Sequence, residues 1–194
     1  MMEKASLFIA NRYGSKKGLL RYYWYGLLQR LGIYSKYRLN THNEINRLVY
    51  ICSGNICRSP LGDVYARSLG FESVSFGLHC RGGDEAFEKT LQYGLQQSLP
   101  IEEHRSQNIS HYEPRKGDLL IVMEPNHLED LETQFPETPK LLLGFLTDWE
   151  NVYIHDPFNT NVVFFDRCMK EIEKATLRLI RFKFEKAKRA RCSN

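Results

Sequence analysis

The segment that most constrains this chain is a short apolar stretch that leads through a cysteine into the start of a helix. Leu48-Val49-Tyr50-Ile51 has the continuous apolar character of a strand that is buried on both faces of a sheet. Pro60 suits the first turn of a helix, which we expect to extend to about Leu69. Residues 52–59 must therefore form a tight loop between the strand and the helix. A strand, a loop and a helix in this order begin a βαβ unit.

The rest of the chain continues this alternation of apolar runs and helical patterns. Further strands are expected at 73–76, 118–123 and 140–143, and further helices at 84–97, 126–133 and 162–187. The order predicts an α/β fold: a doubly wound, four-stranded parallel sheet with helices on both faces, preceded by an N-terminal extension. We expect the extension to cover residues 1–46 and a single folded domain to cover residues 47–194. Ligands of such sheets bind at the carboxyl ends of the strands, where the loop at 52–59 lies.

Charge is distributed unevenly along the chain. Lys and Arg number nine in residues 1–47, eight in 48–166 and ten in 167–194, whereas Asp and Glu number two, 18 and three. The acidic central part argues against nucleic acid as a partner, because no basic stripe runs through the expected domain. No signal peptide or spanning apolar run is evident. The five cysteines are an odd number that indicates reduced thiols, so we expect a cytoplasmic protein.

The expected extension is both basic and aromatic. Tyr22-Tyr23-Trp24-Tyr25 lies among leucines and is flanked by Arg21 and Arg30. One hypothesis is a peripheral membrane helix that lies on anionic lipid. The alternatives are an extension packed on the catalytic domain, a self-association contact or a disordered tail. Together these alternatives are favoured, because most such segments do not bind lipid.

The loop at 52–59 contains what is needed to bind and attack a phosphate monoester. Gly54 and Asn55 tolerate left-handed backbone conformations, so that amide groups can converge on one point. Arg58 has a planar fork that can hold two phosphoryl oxygens. A helix N-terminus and a nearby cation stabilise the thiolate of Cys52, and the hydroxyl of Ser59 can help that thiolate to leave. These residues predict phosphate chemistry with Cys52 as the nucleophile.

Two motifs in this chain resemble those of a known family. The loop resembles the signature loop of the low-molecular-weight protein tyrosine phosphatases. The residues that carry this resemblance are Ile51-Cys52-Ser53-Gly54-Asn55-Ile56-Cys57-Arg58-Ser59-Pro60. About a hundred residues later, Asp156-Pro157-Phe158 is similar to the Asp-Pro-Tyr general-acid loop of that family. The resemblance covers residues 47 to about 182. It implies a phosphatase that hydrolyses protein phosphotyrosine through a cysteinyl-phosphate intermediate, with no cofactor and no metal.

The resemblance also implies roles for single residues. Cys52, Arg58 and Asp156 are the implied catalytic residues. Asp156 would protonate the tyrosine oxygen as the P–O bond breaks, and would then deprotonate the attacking water. Ser75 and His104 would support the loop together with Asn55. The residues implied to bind the substrate are Ser53, Gly54, Asn55, Ile56, Cys57, Ser59 and Phe158. The family counterpart of Cys57 can form a disulfide with the nucleophile.

The chain departs from the family pattern at Arg81 and Asn159, where the family often has aromatic residues, which predicts a more polar or open aryl slot. Ile56 favours tyrosine phosphatases, because relatives that resemble arginine phosphatases have Thr at this position. Arsenate reductases share the fold and the loop, but they need a resolving cysteine pair, and this chain has no Cys between 80 and 168. A further alternative is a regulatory or binding module that acts through the extension.

Overall fold

The computed structural model of the chain describes residues 2–40 and 44–192, with side chains described over 3–40 and 44–185. That description does not include residues 1, 41–43, 193 and 194 of the two expected units, or the side chain of Cys192. Four strands are present: β1 at Arg47–Cys52, β2 at Ser73–Gly77, β3 at Asp118–Val122 and β4 at Lys140–Leu142. All three pairings are parallel, and the strand order is β2-β1-β3-β4. The expected four-stranded parallel sheet is confirmed.

Six α-helices accompany the sheet in the described residues. They are α1 at Met2–Tyr13, α2 at Lys16–Arg30, α3 at Arg58–Ser68, α4 at Glu88–Gln96, α5 at Leu128–Gln134 and α6 at Val162–Cys192. The expected start of α4 at residue 84 is wrong. Glu85 forms an antiparallel bridge with Arg105, and Asp84 accepts a hydrogen bond from the backbone of Ser106, so this stretch pairs with a neighbouring loop instead of coiling. None of the described helices is long and apolar enough to cross a membrane.

The central strand β1 is buried along its whole length and separates two apolar cores. Leu48 and Tyr50 face one core, which includes residues of α3 and α6, whereas Val49 and Ile51 face the other, which includes residues of α5. Helices therefore cover both faces of the sheet, as the alternating pattern predicted. The hydroxyl of Tyr50 donates to Thr176 Oγ1 at 3.0 Å, which connects the strand to α6.

The N-terminal extension folds onto the catalytic part of the chain. Its helices α1 and α2 form hydrogen bonds to residues 149–161 and to α6. Tyr37, which follows α2, is buried in the second core and donates to Glu132 Oε1 at 2.7 Å. Of the hypotheses for the extension, the structure therefore shows packing on the domain.

Close packing between β1 and α3 depends on Gly62. A Cβ atom at Gly62 would lie 2.4 Å from Cδ1 of the Tyr50 ring. We expect Gly62→Ala to lower the free energy of unfolding by about 1–3 kcal/mol, because the clash with a buried ring outweighs the gain in helix propensity. Urea unfolding followed by circular dichroism measures this change. The control is Gly54→Ala, whose Cβ would meet the Ile56 side chain at an ordinary 3.5 Å; equal stability of the two variants would contradict the packing argument.

Candidate active site

The loop between β1 and α3 surrounds a buried sulfur atom. Cys52 ends β1 and is only 2% exposed. Its Sγ lies 3.0 Å from Ser59 Oγ and accepts a hydrogen bond from the backbone N–H of Asn55 at 3.3 Å. The helix α3 begins at Arg58, so its N-terminal end and its positive dipole lie beside the loop. The loop thus directs a hydroxyl, an amide and a helix N-terminus towards one thiol.

The side chain of Asn55 holds the loop in shape. Its Nδ2 donates to Ser59 Oγ at 2.9 Å and to Ser75 Oγ at 3.0 Å, and its Oδ1 accepts from the backbone N–H of Gln107 at 2.8 Å. Nε2 of His104 donates to the carbonyl oxygen of Asn55 at 2.7 Å. Asn55 is fully buried, so these partners satisfy polar groups that water cannot reach. The structure thus places Ser75 and His104 in contact with Asn55 of the loop.

Only one of the two expected left-handed positions in the loop has that conformation. Asn55 has a φ of 53°, whereas Gly54 does not have a positive φ. The turn falls on Asn55 because its side chain is anchored on both sides. The backbone of Asn55 packs closely against Gly77 of β2, where a Cβ atom would lie 3.0 Å from the backbone N of Asn55. A side chain at residue 77 would therefore push the loop away from the sheet.

Arg58 is a fully buried cation that connects three parts of the chain. Its Nη1 donates to Glu124 Oε1 at 2.6 Å and to the carbonyl oxygen of Ile154 at 2.9 Å. Its Nη2 lies 3.0 Å from Asp156 Oδ2, and its Nε has no hydrogen-bond partner in the described residues. Burial alone would lower the pKa of Arg58, but the carboxylates of Glu124 and Asp156 outweigh it and shift this pKa upward. The guanidinium is thus permanently charged.

Asp156 and Phe158 are brought to the site by the segment between β4 and α6. Asp156 is 41% exposed at its side chain, and its Oδ1 accepts from the backbone N–H of Phe158 at 3.2 Å. The ring of Phe158 packs on Phe87 with centroids 4.8 Å apart, and the N–H of Phe87 donates to Ile56 O at 2.9 Å. This aromatic pair adjoins the loop.

The two positions expected to open the aryl slot are both exposed. Arg81 lies in the loop after β2, and Asn159 has a φ of 61° in the turn after the Asp-Pro pair. Sequence reasoning missed that Phe87, just before α4, supplies an apolar surface beside the loop.

Two buried side chains near the loop titrate far from their usual range. Burial lowers the pKa of His127 to about 4, and its Nε2 lies 3.1 Å from Ser53 Oγ. Burial raises the pKa of Cys57 to about 12, so this second loop cysteine is a neutral thiol near neutral pH. His127 is therefore a neutral hydrogen-bond partner of the loop, and Cys57 is a packing residue in this state.

Sequence reasoning missed three residues that hold the site together. Glu124 pairs with Arg58, His127 contacts Ser53, and Gln107 supplies the backbone N–H to Asn55. One signal for Glu124 was present, because a carboxylate two residues after the end of β3 lies at the same sheet edge as the end of β1. Nothing in the local pattern of His127 or Gln107 distinguishes either residue from an ordinary surface residue.

Comparison with known proteins places this site in a family. The sequence model described as low molecular weight phosphotyrosine protein phosphatase matches residues 47–190. The low molecular weight protein-tyrosine-phosphatase Wzb of Escherichia coli K12 is 32% identical over 118 residues, which is 58% of this chain and 78% of that protein.

Two solved structures show the same fold. The tyrosine phosphatase AmsI of Erwinia amylovora aligns with a TM-score of 0.66 at 24% identity, covering 74% of this chain and 97% of that chain. The YwlE arginine phosphatase of Geobacillus stearothermophilus aligns with a TM-score of 0.65 at 21% identity, covering 74% and 96%. With the matched residues, these findings identify the chain as a member of the low molecular weight phosphotyrosine protein phosphatase family, a cysteine-dependent phosphatase of phosphotyrosine.

Proposed function

We propose that Cys52 is the nucleophile of this phosphatase and that the loop from Ser53 to Ser59 binds the phosphoryl group. The proposal is carried by two contacts of Cys52 Sγ, which accepts from the Asn55 N–H and lies 3.0 Å from Ser59 Oγ, a hydroxyl that donates once the sulfur is a thiolate. Donors at a sulfur atom beside a helix N-terminus favour the thiolate. The thiolate attacks phosphorus, an S–P bond forms, and the bond from phosphorus to the tyrosine oxygen breaks.

Asp156 serves as the general acid and then as the general base. Its proton passes to the leaving tyrosine oxygen in the first step. In the second step Asp156 takes a proton from the water that attacks phosphorus, and the S–P bond breaks to restore the Cys52 thiolate. Its partial exposure supports this role, because a proton donor must reach both the substrate and solvent.

Arg58 holds the phosphoryl oxygens through one side of its guanidinium. Nη1 donates to Glu124 and Ile154, whereas Nε is unpartnered in the described residues and Nη2 pairs with the partly exposed carboxylate of Asp156. Nε and Nη2 form the two-pronged edge that suits a pair of phosphoryl oxygens. Glu124 thus fixes one edge of the guanidinium and leaves the other edge for the substrate.

Phosphotyrosine in proteins is the substrate that the site supports best. The Phe87–Phe158 pair offers an apolar wall for a phenyl ring, and such aromatic pairs favour offset or tilted stacking. Ile56 also favours tyrosine over arginine, although one protein of similar fold is an arginine phosphatase. The missing resolving cysteines make arsenate reduction the weaker alternative. The described cysteines are all free thiols, which supports a reducing, cytoplasmic setting.

The outer surface of α2 supports a second role, peripheral binding to an anionic membrane. Large apolar side chains, each at least half exposed, recur at helical spacing along this surface. They are Leu20, Tyr23, Trp24, Leu27 and Leu31. Lys16, Lys17 and Arg30 of the same helix are exposed and complement anionic lipid headgroups. Self-association through this surface is the competing outcome.

Replacement of the nucleophile tests the main proposal. We expect Cys52→Ser to reduce kcat for p-nitrophenyl phosphate by at least about 10³-fold, because a serine hydroxyl is not ionised at this site. Inorganic phosphate should still bind, as measured by isothermal titration calorimetry. The matched control is Cys80→Ser, which changes a free cysteine outside the loop and should keep activity. Near-normal turnover by Cys52→Ser would overturn the assignment.

Replacement of the acid tests the role of Asp156. We expect Asp156→Ala to lower kcat/KM for phosphotyrosine about 10²-fold or more, and to affect 2,4-dinitrophenyl phosphate much less, because that leaving group needs little protonation. The control is Asp130→Ala on the exposed side of α5, which should leave both values unchanged. Equal losses on both substrates would rule out a proton-donating role.

Vesicle binding tests the membrane proposal. We expect the full chain to co-sediment with vesicles that contain phosphatidylserine, and the double variant Trp24→Glu, Leu27→Glu to remain in the supernatant, because it removes buried apolar area and adds negative charge. Leu95→Glu, at an 81% exposed position of α4, is the matched control and should still bind. If the full chain does not bind the vesicles but forms dimers, and the double variant is monomeric, the surface is a self-association contact.

A further inference from the structure

The segment that carries Asp156 has little regular structure of its own. Residues 150–161 contain no helix or strand. Within the domain its middle is anchored at Ile154, whose N–H donates to Met123 O at 3.0 Å and whose carbonyl oxygen accepts from Arg58. The position of the Asp156 backbone therefore depends on the contacts that hold the residues on either side of that anchor.

Before the anchor, the segment is held by α2 of the N-terminal extension. Nε2 of Gln29 donates to Glu150 O at 3.1 Å, and Oε1 of Gln29 accepts from the N–H of Val152 at 2.8 Å. Between these two residues, Nδ2 of Asn151 donates to Tyr22 O at 2.8 Å. One side-chain amide thus satisfies two main-chain groups of the segment, which fixes its position and its orientation.

After the anchor, the segment is held at His155, the residue directly before Asp156. His155 Nε2 lies 3.1 Å from Ser15 Oγ of the extension, and its Nδ1 lies 2.5 Å from the Tyr153 hydroxyl. Burial lowers the pKa of His155 to about 4, so the ring stays neutral near neutral pH and both contacts persist there.

The turn between α1 and α2 and the first turn of α2 both pack closely against the ring of His155. A Cβ atom at Gly14 would lie 2.5 Å from His155 Cδ2, and a Cβ atom at Gly18 would lie 3.0 Å from the same atom. Gly14 also has a φ of +77°, which favours glycine. The extension therefore approaches this residue as closely as a backbone can.

We propose that the N-terminal extension positions the general acid, with Gln29 and Ser15 as positioning residues that act through residues 150–152 and His155. The proposal rests on the proposed role of Asp156. A displacement of about 1 Å at a reacting group can lower a rate by as much as 10²-fold, so hydrogen bonds that fix the segment affect proton transfer. The extension is then part of the catalytic unit.

The experiment measures proton donation separately from stability. The full chain carries Gln29→Ala and Ser15→Ala, and kcat/KM is measured for phenyl phosphate, which needs a proton, and for 2,4-dinitrophenyl phosphate, which needs little. We expect the phenyl phosphate value to fall about tenfold and the other to change less than about twofold. Gln96→Ala, an exposed glutamine of α4, is the control for the glutamine change. Ser15→Thr, made with Gln29 unchanged, keeps the hydroxyl and should leave the ratio of the two kcat/KM values as it is in the unaltered chain.

A double-mutant cycle shows whether the effect passes through Asp156. In an Asp156→Ala background, the changes at Gln29 and Ser15 should cause no further selective loss on phenyl phosphate. If Asp156→Ala itself fails to lower the ratio of kcat/KM for phenyl phosphate to kcat/KM for 2,4-dinitrophenyl phosphate, the general-acid assignment is wrong. If it lowers the ratio but the extension variants match Gln96→Ala, the acid assignment stands and the positioning proposal is overturned. If circular dichroism shows that the Gln29→Ala, Ser15→Ala double variant does not fold, the same cycle is run with Gln29→Ala alone and with Ser15→Ala alone.

Discussion

The buried guanidinium of Arg58 is the constraint on which the rest of the site depends. A charge out of contact with water is tolerated only when it is paired and hydrogen-bonded, and here the partners are Glu124, the carbonyl of Ile154 and Asp156. They come from the end of β3 and from the segment before α6. One cation therefore holds together three chain segments that are distant in sequence. Loss of a buried partner leaves an uncompensated charge, which typically costs about 3–5 kcal/mol.

Sequence reasoning predicted the central part of this arrangement because that part is local. The strand, the loop and the helix from β1 to α3 are adjacent in sequence, so apolar runs and Pro60 were sufficient to place them. Asp156 was found only through resemblance to a family, since an Asp-Pro pair is an ordinary turn without its distant partner. The contacts of Ser75 and His104 with Asn55 were likewise implied by resemblance and not by pattern.

The parts that sequence reasoning missed are those that depend on tertiary pairing. Glu124 acquires its role from a guanidinium that lies 66 positions away in the chain. The start of α4 was misplaced because a bridge between Glu85 and Arg105 competes with helical hydrogen bonds, and local propensity does not report such a partner. The aromatic wall was missed for the same reason, because Phe87 and Phe158 meet only in the folded chain.

The extension shows how two different interactions can share one helix. Towards the domain, α2 presents Tyr22 and Gln29, whose hydrogen bonds reach main-chain atoms of residues 149–152. Bonds of this kind contribute only about 1 kcal/mol each, but they depend strongly on direction. Apolar contact is tolerant of small shifts, whereas a side-chain amide that joins two backbone groups is not. In α2 these directional bonds act beside an aromatic contact, because Tyr25 packs on Tyr153 with ring centroids 5.2 Å apart. The contact buries apolar surface, whereas the bonds from Tyr22 and Gln29 fix the position of the main chain in residues 149–152.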